Sequence, residues 1–215
     1  MADLPLEHVH VAPDETPDPA PAVFVLHGRG ADEGDLLPVA RELPDMHVVS
    51  LRAPDRLGPG YTWYGLDLSA GGLHRSQPDA EDFRRSLDLV GDSVAAATAA
   101  YGIDPDRVGL LGFSQGAIAS LSLLVEEPSR YAWVAALHGY LAAAHADEAP
   151  DGIEGRPVFV GAGERDDVIP EERSAAAADR LREMGAAVEY AAYPTGHGIG
   201  SDELADVTAF VERHH

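Results

Sequence analysis

The chain has 215 residues, enough for one sizeable hydrophobic core and too few for two catalytic domains. Its 37 acidic residues face 15 basic ones, and the formal net charge of −22 disfavours nucleic acid and anionic membranes as partners. It contains no cysteine, which excludes a disulfide framework, a thiol nucleophile and thiolate metal ligation.

No apolar run is long enough to span a bilayer. The first residues, MADLPLEHVHVAPDETPDPAPA, lack both a positive start and a continuous apolar core, so they do not read as a signal peptide. With the absence of cysteine, this predicts a cytoplasmic protein.

In chain order, LEHVHVA (6–12) predicts an edge strand, and the β-branched run AVFVLHG (22–28) a central one. ADEGDLLPVARELP contains an amphipathic helix with Pro38 near its start, and residues 47–54 form the next strand. The segment from 55 to 79 is rich in glycine and lacks periodicity, which predicts an extended loop with at most a short helical turn. AEDFRRSLDLVGDSVAAATAAYG reads as a long helix of high intrinsic propensity. RVGLL (107–111), after a DPD turn signal, is a buried strand, and the helix after it is closed by Pro128.

Further strands are AWVAALHG, RPVFVGAG and AVEYAAYP, with HADEAPDGIEG a loop before the second of them. PEERSAAAADRLREMGA is a helix with proline in its first turn and glycine after its last. SDELADVTAFVERH is the final helix, with Ser201 expected as its cap and Leu204 and Phe210 on its inner side. Alternating strands and helices define an α/β domain over 1–215, a mostly parallel sheet covered on both faces.

Ligands bind such sheets beyond the C-terminal strand ends, and four polar segments fall there: HGRG, GFSQG, GAGERDDVIP and PTGHGIG. In Gly112-Phe113-Ser114-Gln115-Gly116 the chain must turn sharply from strand to helix, which projects the Ser114 hydroxyl above the sheet. A serine becomes a nucleophile only when a base accepts its proton. His197, between two glycines after the last strand, is the best base. His27 reads as structural, supporting its turn through the ring, and His138 is open to a supporting role. The orienting acid should lie between nucleophile and base in the chain, where Asp166 and Asp167 both stand.

The oxyanion donors expected are the backbone N–H groups of Gln115 and Arg29. HGRGADEG matches neither the P-loop nor the dinucleotide glycine pattern, so no nucleotide cofactor is expected. The scattered His and Asp residues show no metal-ligand spacing.

LHGRGADEGDLLPVA, LRAPDRLG, GFSQGAIAS, GERDDVIP and GHGI resemble, in order and over nearly the whole chain, the phospholipase/carboxylesterase family of α/β-hydrolases. The resemblance implies an α/β-hydrolase fold without a large lid, and a cofactor-free serine hydrolase of carboxylic esters or thioesters. It implies Ser114 as nucleophile, His197 as base, Asp166 rather than Asp167 as acid, Arg29 and Gln115 as oxyanion donors, and a homodimer as one assembly found in the family. Ala117 stands where many members have glycine, a change that should spare the turn. The 58–78 segment falls where the family has an active-site loop, with a composition of its own; Tyr61, Trp63 and Tyr64 either line an acyl or aryl pocket or pin the loop to the domain.

The reading is therefore a serine carboxylesterase acting on short to medium acyl or aryl esters. Acyl thioesterase and lysophospholipase-type activities are its nearest alternatives. A dienelactone hydrolase would normally use cysteine, and a catalytically silent binding protein would normally have lost a reacting residue. All 15 basic residues are arginine, and the composition resembles that of proteins from salt-accumulating archaea. High genomic GC content would also favour arginine over lysine, but it leaves the acidic excess unexplained.

Overall fold

The structure, a computed structural model, describes residues 2–16, 19–148 and 150–215. Strand β1 (His8–Val11) is followed by β2 (Ala20–Leu26), a helical turn α1 (Leu37–Ala40) and β3 (His47–Leu51). Two short hairpins come next: β4 (Asp55–Leu57) with β5 (Gly60–Thr62), and β6 (Leu66–Asp67) with β7 (Gln77–Pro78). Then come α2 (Ala80–Tyr101), β8 (Ile103–Phe113), α3 (Gln115–Glu126) and β9 (Trp133–Leu137). β10 (Pro157–Gly163), α4 (Glu171–Glu183), β11 (Ala187–Tyr193) and α5 (Ser201–His214) complete the chain.

Seven strands form one sheet in the order β1-β3-β2-β8-β9-β10-β11. Only the edge pair β1–β3 is antiparallel. Side chains alternate across β2. Ala22, Phe24 and Leu26 join the core beneath α2, α3 and α4, while Val23 and Val25 join Leu111, Trp133 and Phe210 on the face covered by α1 and α5. A parallel sheet covered in this way must be apolar on both faces, which is why β2 and β9 are buried throughout. Helix α2 begins where the Asp79 carboxylate accepts the N–H groups of Glu81 and Asp82, and it stops at Gly102, whose φ of 74° suits glycine. Among the described residues no helix is long and apolar enough to cross a membrane.

Several boundaries differ from expectation. Helix α1 is a single turn, because after Ala40 the chain tightens into i to i+3 bonds such as Leu43 N–H to Ala40 O. Strand β8 extends back to Ile103; its DPD stretch forms a local turn, with the Asp106 N–H on Asp104 Oδ1, across an irregularity in the pairing with β2. The 55–79 segment is a pair of small hairpins with a helical turn at Leu73–Arg75. Ser201 is the first residue of α5 rather than its cap, which is Gly200. Leu204 is half-buried; the inner stripe of α5 is Glu203, Val207, Phe210 and Val211.

Candidate active site

Ser114 joins β8 to α3 with φ 54° and ψ −115°, a conformation that a non-glycine residue holds only under constraint. Its N–H donates to Leu137 O at 2.9 Å, and its carbonyl accepts from Ile118 N–H at 3.1 Å. The flanking glycines are required by close approach. A Cβ on Gly112 would collide with the Gly116 carbonyl, and one on Gly116 with the Leu26 carbonyl. The turn thus presses α3 onto β2 and lifts the hydroxyl above the strand ends.

His197 Nε2 lies 2.9 Å from Ser114 Oγ, and His197 Nδ1 lies 2.7 Å from Asp166 Oδ2. With the Nδ1 proton donated to Asp166, the Nε2 lone pair faces the serine O–H. Asp166 Oδ1 accepts the N–H groups of Val168 at 2.8 Å and Ile169 at 2.9 Å. Burial pushes the Asp166 carboxyl up, but the donors on it, His197 and His138 first, outweigh burial and hold it below its ordinary value. Asp167 is exposed. The two adjacent aspartates therefore separate into one that reaches the ring and one that faces solvent.

Gln115 heads α3, so no carbonyl a turn earlier claims its N–H. Beside it, Gly30 N–H donates to Tyr61 O at 2.7 Å and Ala31 N–H to Gly28 O at 3.2 Å, which holds the turn around Arg29. Both Arg29 and Gln115 line the cleft with Ser114 and His197. His27 supports this turn as expected: Nδ1–H donates to Gly28 O at 2.7 Å and Nε2 accepts Ala53 N–H at 3.1 Å. Burial keeps its ring neutral by lowering its pKa.

The cleft above Ser114 has a volume of about 190 Å³ and apolar walls that include Tyr64, Leu66, Leu73, Ile118, Tyr140 and Ile169. Of the three loop aromatics only Tyr64 lines it. Trp63 is fully buried and donates Nε1–H to His27 O at 2.8 Å, so it pins the loop to the domain. Tyr61 stacks between Arg52 and Arg56, with the guanidinium carbons 4.9 and 5.3 Å from its ring centre. Polar anchoring thus turns both away from the cleft.

Two contributions escape a reading of the sequence. The Gln115 side chain ties the hairpin segment to the Ser114 turn, accepting from Thr62 Oγ1 and Trp63 N–H and donating to Tyr64 O, at 2.9, 3.1 and 3.0 Å. Glu203, on the buried stripe of α5, lies 3.2 Å from His138 Nε2, while His138 Nδ1 lies 2.9 Å from Asp166 Oδ2. Its spacing of four and seven residues from Val207 and Phe210 was the available signal. His138, Asp166 and His197 bring ligand-type atoms within 4.8 Å of one another, and hydrogen bonds to a single carboxylate oxygen already join the three.

The parallel sheet with a strained serine turn at the end of a central strand defines an α/β-hydrolase. The profile of the phospholipase/carboxylesterase family matches residues 6–215, and the chain belongs to that family of ester hydrolases. MhqD of Bacillus subtilis (strain 168) is 30% identical over 182 residues, 84% of this chain and 87% of that protein. Acyl-protein thioesterase 1 of Gibberella zeae is 33% identical over 117 residues, 52% of this chain and 50% of that protein, so the chain matches about half of that relative's length. The Bacillus cereus carboxylesterase shares the fold, with a TM-score of 0.85 at 22% identity, covering 97% of this chain and 94% of that one.

Proposed function

We propose that the protein is a serine carboxylesterase that cleaves short to medium acyl or aryl esters through an acyl-enzyme. The observation that carries this reading is the unbroken hydrogen-bonded series from Ser114 Oγ through His197 to Asp166 Oδ2. Ser114 Oγ attacks the ester carbonyl while His197 Nε2 takes its proton. The carbonyl oxygen gains negative charge and accepts from the Arg29 and Gln115 N–H groups. The tetrahedral intermediate collapses as the imidazolium gives that proton to the leaving alkoxide, which departs as an alcohol. Water then loses a proton to His197, attacks the acyl-serine, and releases the carboxylic acid with the hydroxyl of Ser114 restored. Asp166 holds the ring in the required tautomer and stabilises its cationic form.

A thioester would follow the same path with a thiol leaving group, a reading favoured by the acyl-protein thioesterase among the relatives. A fluorophosphonate probe tests the mechanism. Labelling and ester hydrolysis should both vanish in Ser114→Ala, and activity retained by that variant would overturn it. A panel of matched esters and acyl thioesters separates the two substrate classes.

A further inference from the structure

Among the described residues, Ser114 and His138 are the two non-glycine residues with positive φ, at 54° and 53°. The proposed mechanism accounts for the first. His138 stands just after β9, with its N–H on Gly161 O at 2.8 Å, and this conformation directs its ring beneath Asp166. Neither the His138 nor the Glu203 side chain is exposed to solvent. Room is made for them by β10: a Cβ on Gly161 would overlap Glu203 Oε1, and one on Gly163 would crowd the His138 ring.

Proton counting decides what this pair can be. A neutral imidazole has one N–H and one lone pair. Both His138 nitrogens face a carboxylate oxygen, so both contacts are hydrogen bonds only if the pair holds one further proton, on the ring or on Glu203. Glu203 Oε1 has no hydrogen-bond partner among the described residues, so the contact of Oε2 with His138 Nε2 is the one that satisfies its carboxyl group. The other titratable group facing His138 is His197, 5.6 Å away between ring centres. Glu203 also faces Tyr193, whose hydroxyl donates to Asp206 at 2.7 Å.

We infer that His138 and Glu203 form a buried pair holding one shared proton, which positions Asp166 and restrains the basicity of His197. The inference rests on the serine mechanism above. Asp166 Oδ2 accepts from both rings, so donation from His138 weakens the hold of that oxygen on His197. Burial alone would lower the His138 pKa, but the bonds to Glu203 and Asp166 outweigh it and raise the value, in the direction that favours a proton on the pair. The pair is not part of the cleft lining, and its hydrogen bond toward the reacting groups is the one to Asp166.

The test combines pH profiles with proton spectra. In His138→Ala, Asp166 loses one donor and Glu203 loses its partner, so protonation of His197 is favoured. The acid limb of kcat/KM should rise by about one pH unit and kcat should fall about 10- to 100-fold, with KM within about twofold. Glu203→Gln can donate its amide N–H to His138 Nε2 and keep Nδ1–H on Asp166, so it should recover kcat to within about fivefold of the wild type. Wild-type protein should show a far-downfield proton resonance from each ring's N–H to Asp166 and a third from the proton between His138 Nε2 and Glu203. Glu203→Gln should retain the first two and lose the third, and absence of the third from the wild type would overturn the shared proton. An unshifted acid limb with wild-type kcat in His138→Ala, or a wild-type spectrum in which His197 alone contributes, would overturn the pair. If His138→Ala fails to fold, the wild-type and Glu203→Gln spectra decide the question. The spectra need no turnover, so their failure leaves the serine mechanism standing. An unlabelled Ser114 would overturn that mechanism and the positioning role with it.

Discussion

The Ser114 N–H donates to the Leu137 carbonyl at 2.9 Å across the ends of β8 and β9. That bond anchors the Ser114 turn to the residue immediately before His138. The two strained positions are thus neighbours, and each presents a side chain toward the space where Asp166 and His197 meet. Their strain is held by the packed sheet beneath them, because β9 is buried throughout and β8 is buried from Val108 to Gly112.

The adjacent aspartates should behave very differently. Asp166→Asn removes the charge that stabilises the His197 imidazolium and the acceptor that sets its tautomer, and kcat should fall by about 10,000-fold. Asp167→Asn alters an exposed side chain and should change kcat by no more than about twofold. Steady-state kinetics on both folded variants checks the assignment, and a larger loss in Asp167→Asn would reverse it.

Acyl-chain preference should follow the size of the cleft. With an open cleft of about 190 Å³ lined by Tyr64, Leu66, Leu73 and Ile118, short acyl groups should fit and long ones should project into solvent. Each methylene that enters is worth at most about 0.8 kcal/mol, and one that stays outside adds nothing. On an aryl ester series kcat/KM should rise over the first few carbons and then level or fall. A profile still climbing at about C12 would require a larger pocket.

His27 makes stability depend on pH in a definite direction. Its buried ring has a pKa below the ordinary 6.5, so beneath that pH the unfolded chain binds a proton that the folded one refuses. Stability should therefore fall as pH drops below 6.5, by at most about 1.4 kcal/mol per pH unit from this residue. His138 acts oppositely, because its raised pKa contributes stability that is full below the unfolded value and is lost as pH climbs through the folded one. The difference between wild type and His27→Gln isolates the first effect. The urea midpoint of the variant should change less than that of the wild type between about pH 5.5 and 7.5, and equal changes would show that His27 is not the group responsible.

Salt should stabilise the protein. Pairs such as Arg52–Glu33 and Arg213–Glu189 neutralise some charge, but 15 arginines cannot balance 37 carboxylates. Repulsion among the rest is screened as the Debye length falls from about 10 Å at 0.1 M to about 3 Å at 1 M. The unfolding midpoint and kcat should both rise between about 0.1 and 2 M KCl, with any rise beyond about 1 M coming from stronger apolar burial. Flat or falling curves would remove salt adaptation as the reason for the acidic surface.

Strand–helix alternation, the apolar runs of β2 and β9, and the long helix α2 were legible from local pattern alone, because backbone periodicity and helix propensity act over a few residues. So were Ser114 and His197, since the strand ends of a parallel sheet bring separate loops to one edge; local pattern left Asp166 and Asp167 level, and the family resemblance chose the one that lies against His197. Tertiary packing decided what local pattern left open. Trp63 and Tyr64 are adjacent aromatics, yet Trp63 satisfies its N–H on His27 inside the domain and Tyr64 faces the cleft. Glu203 looks like a helix-surface acid in SDELAD until α5 packs against β10, where two glycines leave space for its carboxylate and for the His138 ring. A charge becomes bearable in a core only beside a partner from a distant segment, and that pairing exists only once the chain has folded.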